Sequence, residues 1–474
     1  MKTILRFFKN SGIFFVGTIL SKTIIFLLLP LYTNCLSTES YGYYDLSVTY
    51  VTVLTSILYF DIWATLLRFL YDYVDGKEKE KVKRICWGIF CISTLAFIAV
   101  GGAVCFAYRI RYGVLILAYG VSVNVQTMCS FAARGAQKNL QFAASGILNT
   151  FVTVMGNVGM LLGLKMDVEA LYLSAILGNL VQSIFLCVSV PILPAVSKSI
   201  VDKLLAKRII RYTLPLGINS MAYWMLTGYN RVILEKVMGL SANGVYAIGN
   251  KFGAALTLVT TCFTYAWQDI AFKQQDNSSL GQFYGKAVSL YYCFLGVGVA
   301  CMLPCFSVLF PFLVGESFSG AYSTIHVFLI MAMLSAVSTF IGNIFYALKD
   351  THTLFATMVI SCICNVILCR PFVELWGING ANISTCISFA VNILIRCLLL
   401  NRQIRLRVNG IWILGTTAVL ACVAYCYNLN NLAINAITIL VLTILLVAGS
   451  LSFLKLKRKV SGASGKKEIH EDSM

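Results

Sequence analysis

The amino-acid sequence predicts an all-α integral membrane protein with about 14 transmembrane helices. Its 474 residues are 59% hydrophobic and only 12% charged, and the mean hydropathy is +0.82. These values lie far from the average of soluble globular domains. A spanning helix needs about 20 mainly apolar residues. Windows of that length, which we number as spans 1 to 14, fit near residues 12–33, 42–67, 85–107, 112–133, 142–164, 169–190, 213–233, 243–268, 286–310, 320–347, 353–371, 377–400, 411–428 and 432–454.

The distribution of basic residues predicts that the N and C termini are both cytoplasmic. With the N-terminus inside, the cytoplasmic segments hold 28 of the 37 Lys and Arg residues, the outer loops hold six, and Lys22, Lys251 and Arg396 lie inside predicted spans. The bias persists on both sides of spans 10 and 11, so the number of spans is even: fourteen, with twelve as the alternative. Topology and anionic lipid explain the formal net charge of +18, and no nucleic-acid partner is predicted.

The connectors between the spans argue against an enzyme. They are short, and none carries a catalytic cluster, a nucleophile elbow, a zinc-protease motif or a nucleotide-binding motif. Most of the 17 cysteines lie within spans as small apolar residues, so we expect no disulfide framework, no metal site and no cofactor. Uphill transport would therefore draw on an H⁺ or Na⁺ gradient, a substrate gradient or removal of product.

An internal repeat predicts two pseudo-symmetric lobes of six helices. The segment LSTESYGYY at 36–44, after span 1, echoes LSANGVY at 240–246, after span 7, with Gly42 matching Gly244. Ala170 and Ala381 form a second corresponding pair. A shift of six helices preserves orientation, so the lobes are expected to be parallel repeats, as in transporters that rock two halves.

The repeat also sets the predicted domain boundaries. Spans 1 to 6 form an N-terminal lobe and spans 7 to 12 a C-terminal lobe, joined by a basic linker that is expected to be an amphipathic helix on the cytoplasmic membrane surface. Spans 13 and 14 lie outside the repeat. The predicted boundaries are 1–190 for the N-terminal lobe, 191–212 for the linker, 213–400 for the C-terminal lobe, 401–454 for the additional helices and 455–474 for a basic cytoplasmic tail.

Several segments resemble one family of transporters. KNSGIFFVGTILSK at 9–22, LPLYT at 29–33, the 36–44 segment with Asp45, and the stretch from Asn230 to Tyr246 are similar to bacterial polysaccharide-export flippases of the Wzx type. These belong to the multidrug/oligosaccharidyl-lipid/polysaccharide (MOP) transporter superfamily. Where relatives often have Asp-Arg on helix 7, this chain has Asn230 and Arg231.

The resemblance implies a substrate and a location. The substrate would be a polyprenyl-diphosphate-linked oligosaccharide, the repeat unit of an O-antigen, a capsule or an exopolysaccharide. The protein would move it from the cytoplasmic to the periplasmic leaflet of the bacterial cytoplasmic membrane. Membrane lipids, a polysaccharide polymerase and glycosyltransferases of the same pathway are the expected partners.

Such a substrate requires a polar cavity between the lobes, with cations for the diphosphate and with amides, hydroxyls and aromatic faces for the sugars. Lys22 is the strongest candidate cation because it lies about ten residues into span 1, where snorkelling would be strained. Lys251, inside span 8, lies either in the cavity or at the interface. Arg231 lies near the outer end of span 7 and either contacts substrate or pairs with Glu235, one turn away.

Five further polar residues are candidate substrate contacts, each with a structural alternative. Asp61 could partner a cation or carry a coupling proton, or it could lie near the inner interface. Arg68 and Arg134, near inner helix ends, could guide the diphosphate or anchor their helices. Gln126 and Asn157 are amides at membrane depth that either line the sugar path or bond helix to helix.

Other functions are alternatives at this point. A cation-coupled multidrug exporter of the same superfamily would prefer acidic cavity residues, of which Asp61 is almost the only one predicted. A flippase for a lipid-linked peptidoglycan precursor is a second alternative. A membrane glycosyltransferase or polymerase would need a catalytic acid in a substantial loop, and a channel would need a continuous ion path; neither has a visible basis in the sequence.

Overall fold

A computed structural model describes residues 26–73, 75–194, 202–273, 280–348 and 350–444. Within these ranges the chain is almost wholly helical and contains no strand, which confirms the predicted all-α class. The helices in chain order are α1 (Leu29–Cys35), α2 (Thr38–Tyr59), α3 (Ile62–Asp72), α4 (Gly76–Ala107), α5 (Gly113–Gly135), α6 (Asn139–Val158), α7 (Val168–Ser189), α8 (Lys203–Thr227), α9 (Tyr229–Met238), α10 (Leu240–Lys273), α11 (Leu280–Leu313), α12 (Ile325–Ala347), α13 (Thr351–Ile404), α14 (Gly410–Asn428) and α15 (Leu432–Ile444).

The helices follow the predicted spans closely. The windows from span 2 to span 13 lie on these helices, except that span 5 ends on a π-helical turn (Gly159–Gly163) and span 10 begins on a 3-10 helix (Glu316–Thr324). Among the described residues, eight helices are long and apolar enough to cross a membrane, and the bent pair α2–α3 raises the number to nine. The structure therefore supports a multi-pass membrane protein, while the total of fourteen spans and the cytoplasmic termini stay predictions.

Three departures from straight helices position the polar residues discussed below. Phe60 and Asp61 both have left-handed backbone angles, φ 48° and 56°, and they separate α2 from α3 with a bend of 48°. Gly377, with φ 57°, interrupts α13 between the windows of spans 11 and 12. Residues 203–212 of the predicted linker form the first turns of α8, so this part of the linker continues directly into span 7.

The helices divide into two compact units. The larger unit contains α1 to α10 together with α12 and α13, and the smaller one contains residues 285–311 of α11 with α14 and α15. In the smaller unit the Asn409 N–H donates to Ser289 Oγ at 2.8 Å, and Asn435 Nδ2 donates to Ser307 Oγ at 3.0 Å. The boundaries of the two predicted six-helix lobes stay a prediction.

The sequence repeat reappears as a symmetric contact between α2 and α10. A Cβ atom on Gly42 would collide with the carbonyl oxygen of Leu240, and one on Gly244 would collide with the carbonyl oxygen of Thr38. Thr38 corresponds to Leu240 by the same spacing that relates the two glycines. Asn243 Nδ2 also donates to the Gly42 carbonyl at 2.9 Å. The two backbones therefore touch, as small residues at membrane helix interfaces permit. We call this contact the glycine seal.

A second pair of matching contacts involves buried amides. Asn157 on α6 accepts a hydrogen bond from Ser174 on α7 at 2.6 Å and donates to the Tyr32 hydroxyl on α1 at 2.9 Å. In the second half of the chain, Asn365 and Ser384 on α13 are joined by a corresponding bond of 3.0 Å. A buried amide thus bonds to a serine in both halves of the chain, which is a usual role for polar side chains between membrane helices.

Candidate functional site

An ion pair between Asp45, about two turns from the start of α2, and Arg231 joins α2 to α9. Arg231 Nε donates to Asp45 Oδ2 at 2.5 Å, and the two side chains are 15% and 20% exposed. The guanidinium also lies over the Tyr246 ring, 5.4 Å from its centroid. The sequence offered Glu235 as the partner of Arg231, but the structure gives Asp45. The chain therefore has a carboxylate for this arginine even though Asn230 stands where relatives often have an aspartate.

Lys251 on α10 lies close to this ion pair. Its side chain is half-buried, and it interacts electrostatically with both Asp45 and Arg231. The predicted cations Arg231 and Lys251 therefore both interact with one carboxylate, Asp45. A partly desolvated positive charge attracts an anionic ligand more strongly than an exposed one, because charges interact more strongly away from bulk water.

A cavity of about 470 Å³ extends from this ion pair along α10. Its lining comes from α8, α9, α10, α12 and α13: Tyr223, Thr227, Arg231, Tyr246, Asn250, Gly253, Ala254, Thr257, Thr260, Thr264, Met331, Ala332, Ser335, Ala336, Thr339 and Phe389. From Tyr246 to Thr264 the lining follows roughly 27 Å of helix rise, close to the ~30 Å thickness of a hydrocarbon core. The cavity is therefore elongated along α10.

Hydroxyl groups dominate the polar part of this lining. Thr260 donates to the Thr257 carbonyl, Thr264 to the Thr260 carbonyl and Thr339 to the Ser335 carbonyl, at 2.9 to 3.1 Å. Because each hydroxyl proton is used within its own helix, the oxygen lone pairs are left to accept hydrogen bonds from a ligand. Arg231 is the one charged side chain in the described lining, which contains no carboxylate. This arrangement suits a polyhydroxylated, anionic ligand.

Directly behind Arg231, its neighbour Asn230 is fully buried in a polar network. Asn230 Nδ2 donates to the Ala381 carbonyl and to Thr385 Oγ1, both at 2.8 Å. Its Oδ1 accepts a hydrogen bond from Asn365 Nδ2 at 3.1 Å. Asn365 in turn donates to the Leu226 carbonyl at 3.1 Å. The network fixes α9, and hence Arg231, against α13.

Replacing Asn365 with leucine should therefore destabilise the fold. The change keeps the volume but removes two donated bonds and leaves Ser384 and Thr385 without this acceptor. We expect a loss of about 1 to 3 kcal/mol, seen as a lower unfolding midpoint of the purified protein in detergent. Asn401→Leu, at an exposed position, is the matched control. Equal midpoints for the two variants would show that the network does not hold α9 in place.

The other predicted charged residues lie apart from this site. Asp61 accepts a hydrogen bond from Ser220 on α8, at the break between α2 and α3. The Arg68 side chain is 59% exposed and pairs with Asp72 at 3.3 Å. The Arg134 guanidinium lies over the rings of two phenylalanines, 5.1 Å and 5.8 Å from their centroids. The roles of these residues in substrate binding stay predictions.

The predicted amides bond helix to helix. Gln126 on α5 donates to Gln182 on α7 at 2.9 Å, and the buried Asn157 has the partners described above. Lys22 lies outside the described residues. Arg396, which the sequence places inside span 12, is 3% exposed and donates to Ser338 and Thr357. In the described part of the chain, no group of three His, Cys, Asp or Glu residues could hold a metal ion.

Sequence reasoning missed Asp45 as a site residue. The residue was visible as the end of the repeat segment, directly after Tyr44, and inside the window of span 2. A carboxylate within a spanning helix is energetically costly unless it is paired. This cost was the signal in the sequence that Asp45 has a partner. The partner could not be read from the sequence, because Arg231 lies 186 positions away.

The fold is that of a known class of membrane transporters. The chain is similar to the lipid II flippase MurJ in an inward closed conformation, with a TM-score of 0.70, 13% identity, and coverage of 94% of this chain and 99% of that one. It is also similar to an inward-facing multidrug resistance MATE family transporter of the MOP superfamily, with a TM-score of 0.64, 13% identity, and coverage of 86% and 95%. A MOP superfamily transporter from Pyrococcus furiosus matches with a TM-score of 0.55, 13% identity, and coverage of 87% and 95%.

The sequence itself gives the family. Residues 7–267 match the family of polysaccharide biosynthesis proteins, and the chain belongs to that family. No curated protein sequence matches it significantly. Family and fold together confirm the resemblance to the MOP superfamily that the sequence segments indicated.

Proposed function

We propose that this protein is a flippase that moves a polyprenyl-diphosphate-linked oligosaccharide from the cytoplasmic to the outer leaflet of the bacterial cytoplasmic membrane. The observation that carries the proposal is the placement of Arg231 on a hydroxyl-lined cavity that runs along α10. Membership in a polysaccharide biosynthesis family and a fold shared with a lipid II flippase support it. Alternating access of the two predicted lobes would expose the cavity to each side in turn.

The chemistry of the site matches the three parts of such a substrate. The polyprenyl tail stays in lipid and needs no polar contact. The diphosphate would meet Arg231 in the described lining, with Lys251 and Lys22 as further predicted cations. A guanidinium binds phosphate oxygens with two parallel hydrogen bonds. The sugars would meet the threonine and serine hydroxyls, Asn250, and the faces of the lining aromatic rings. These contacts offset the cost of taking charge and hydroxyl groups out of water.

A multidrug exporter of the same superfamily is the principal alternative. It would bind amphipathic cations through free carboxylates. Asp45 adds a second carboxylate to Asp61, but Asp45 is neutralised by Arg231. The described cavity lining contains no carboxylate. The charge of the site therefore favours an anionic substrate.

Deleting the gene in its native host tests the proposal. Lipid extracts of the deletion strain should accumulate polyprenyl-diphosphate oligosaccharide while surface polysaccharide disappears, and the accumulated mass identifies the glycan by mass spectrometry. Complementation with the wild-type gene should reverse both effects. An accumulated peptidoglycan precursor would instead support the precursor-flippase alternative. An unchanged lipid pool with new sensitivity to amphipathic cations would contradict the proposal in favour of drug export.

A further inference from the structure

We propose that Asp45 competes with the substrate's diphosphate for Arg231, and that loss of the Asp45–Arg231 pair loosens the glycine seal between α2 and α10. The inference rests on the proposed function, because it takes the diphosphate of that substrate as the ligand of Arg231. It adds a role for Asp45, a positioning residue that links occupancy of the cavity to the contact between the two repeats.

The first step of the argument is the position of the ion pair. Asp45 lies three residues after Gly42 on α2, which is about 4.5 Å of helix rise, or nearly one turn. Gly42 forms the seal with Gly244, and Asn243 donates to its carbonyl at 2.9 Å. The ion pair therefore lies about one helical turn from the seal on α2. A force that moves Asp45 along α2 acts close to the backbone of the seal.

The second step is the exposure of Arg231 to the cavity. Arg231 lines the cavity, whereas Asp45 does not. Asp45 contacts the guanidinium through Nε at 2.5 Å, and the only other bond described for this group is a long one, 3.5 Å from Nη1 to the Thr227 carbonyl. The guanidinium therefore keeps donors for a ligand in the cavity. A phosphate accepts such donors in pairs and carries more charge than a single carboxylate.

The third step is the charge balance. Asp45 has Arg231 as its ion-pair partner. When a diphosphate binds Arg231, Asp45 loses its counter-charge and faces an anion in partly desolvated surroundings. Like charges in such surroundings repel strongly. The repulsion acts on α2, one turn from the seal, and favours separation of α2 from α10. After release of the substrate, Asp45 returns to Arg231 and the seal closes.

Binding of a short polyprenyl diphosphate tests the competition. We would measure the affinity of farnesyl diphosphate for the purified full-length protein, with farnesyl monophosphate for comparison. Asp45→Asn should bind the diphosphate about tenfold more tightly than wild type, since a charged competitor is removed. Asp45→Glu should restore the wild-type affinity. Glu374→Gln, which breaks the exposed ion pair with Arg370, is the matched control and should leave the affinity unchanged.

The outcomes separate this inference from the proposed function. Tighter binding by Asp45→Asn cannot result from damage to the fold. Unchanged or weaker binding by this variant, together with weaker binding by Arg231→Gln, would overturn the competition and leave the proposed site intact. If Arg231→Gln binds the diphosphate with wild-type affinity, Arg231 does not belong to a diphosphate site. That result would overturn both the proposed site and this inference.

A measurement on the unmodified protein tests the link to the seal without any variant. Amide hydrogen exchange of the wild-type protein should become faster in the peptide covering residues 38–45 when farnesyl diphosphate binds, because the seal loosens. Exchange in α7, which carries no part of the seal, should not change. Slower or unchanged exchange in 38–45 on saturation with the probe would overturn the proposed coupling.

Discussion

Replacing Arg231 with glutamine is expected to reduce polysaccharide export by about 100-fold or more. The change removes the one charged side chain of the described cavity lining and leaves Asp45 without its partner. The guanidinium would make two charge-assisted hydrogen bonds to the diphosphate, each worth about 1.5 to 3 kcal/mol, and each 1.4 kcal/mol corresponds to about a factor of ten. Export is measured as surface polysaccharide in a deletion strain that expresses the variant, at equal amounts of protein in the membrane.

Arg370→Gln is the matched control for this prediction. Arg370 is also an arginine paired with a carboxylate, but its side chain is 71% exposed and its partner is Glu374 on the same helix. An exposed pair of this kind contributes little, so the control should export normally. Normal export by Arg231→Gln at wild-type protein levels would contradict the assignment of Arg231 to the substrate site.

The second large effect is expected from leucine at either glycine of the seal. In Gly42→Leu and Gly244→Leu the new side chain meets backbone atoms of the facing helix, which cannot rotate away as a side chain can. Overpacking costs about 1 to 3 kcal/mol even where neighbours can adjust, so we expect at least that loss here. Both variants should unfold at lower temperature in detergent, to a similar extent because the contact is symmetric, and both should lose export.

Gly102→Leu provides the comparison for the seal variants. Gly102 is also a glycine inside a membrane helix, but a Cβ atom there meets nothing within 4 Å. This variant should be as stable as wild type and should export normally. Equal stability of all three variants would show that α2 and α10 do not need their close approach.

The fold could largely be predicted because hydropathy and the distribution of charge are read from consecutive residues. Windows of about 20 apolar residues fell on helices from span 2 to span 13. The glycine pair could be found from the sequence because a close backbone contact requires glycine. The repeat places this glycine at corresponding positions in both halves. The breaks were harder to predict. Phe60 and Asp61 adopt left-handed angles without glycine, so nothing in their residue types indicated a bend.

Part of the site could be predicted from the sequence. The part that could not be predicted depends on contacts between residues that are far apart in the sequence. Arg231 and Lys251 were candidates from the sequence, Lys251 because charge is expensive at membrane depth, and their roles in substrate binding stay predictions. Their common partner Asp45 was missed, since the pairing joins helices far apart in sequence. The same limit applies to Gln126 and Asn157, whose bonds to other helices depend on packing. The hydroxyl lining of α10 was also missed, because threonines in apolar helices resemble ordinary helix-facing residues until the cavity is known.

Movement of substrate in reconstituted vesicles tests the central claim most directly. Vesicles would contain the purified protein and the polyprenyl-diphosphate oligosaccharide from the native host, and a glycan-cleaving reagent that cannot cross the bilayer would be added outside. With wild-type protein, the pool in the inner leaflet should become cleavable, and with Arg231→Gln it should stay protected. Protection of the inner pool with folded wild-type protein, as in vesicles without protein, would contradict the claim that this chain flips lipid-linked oligosaccharide.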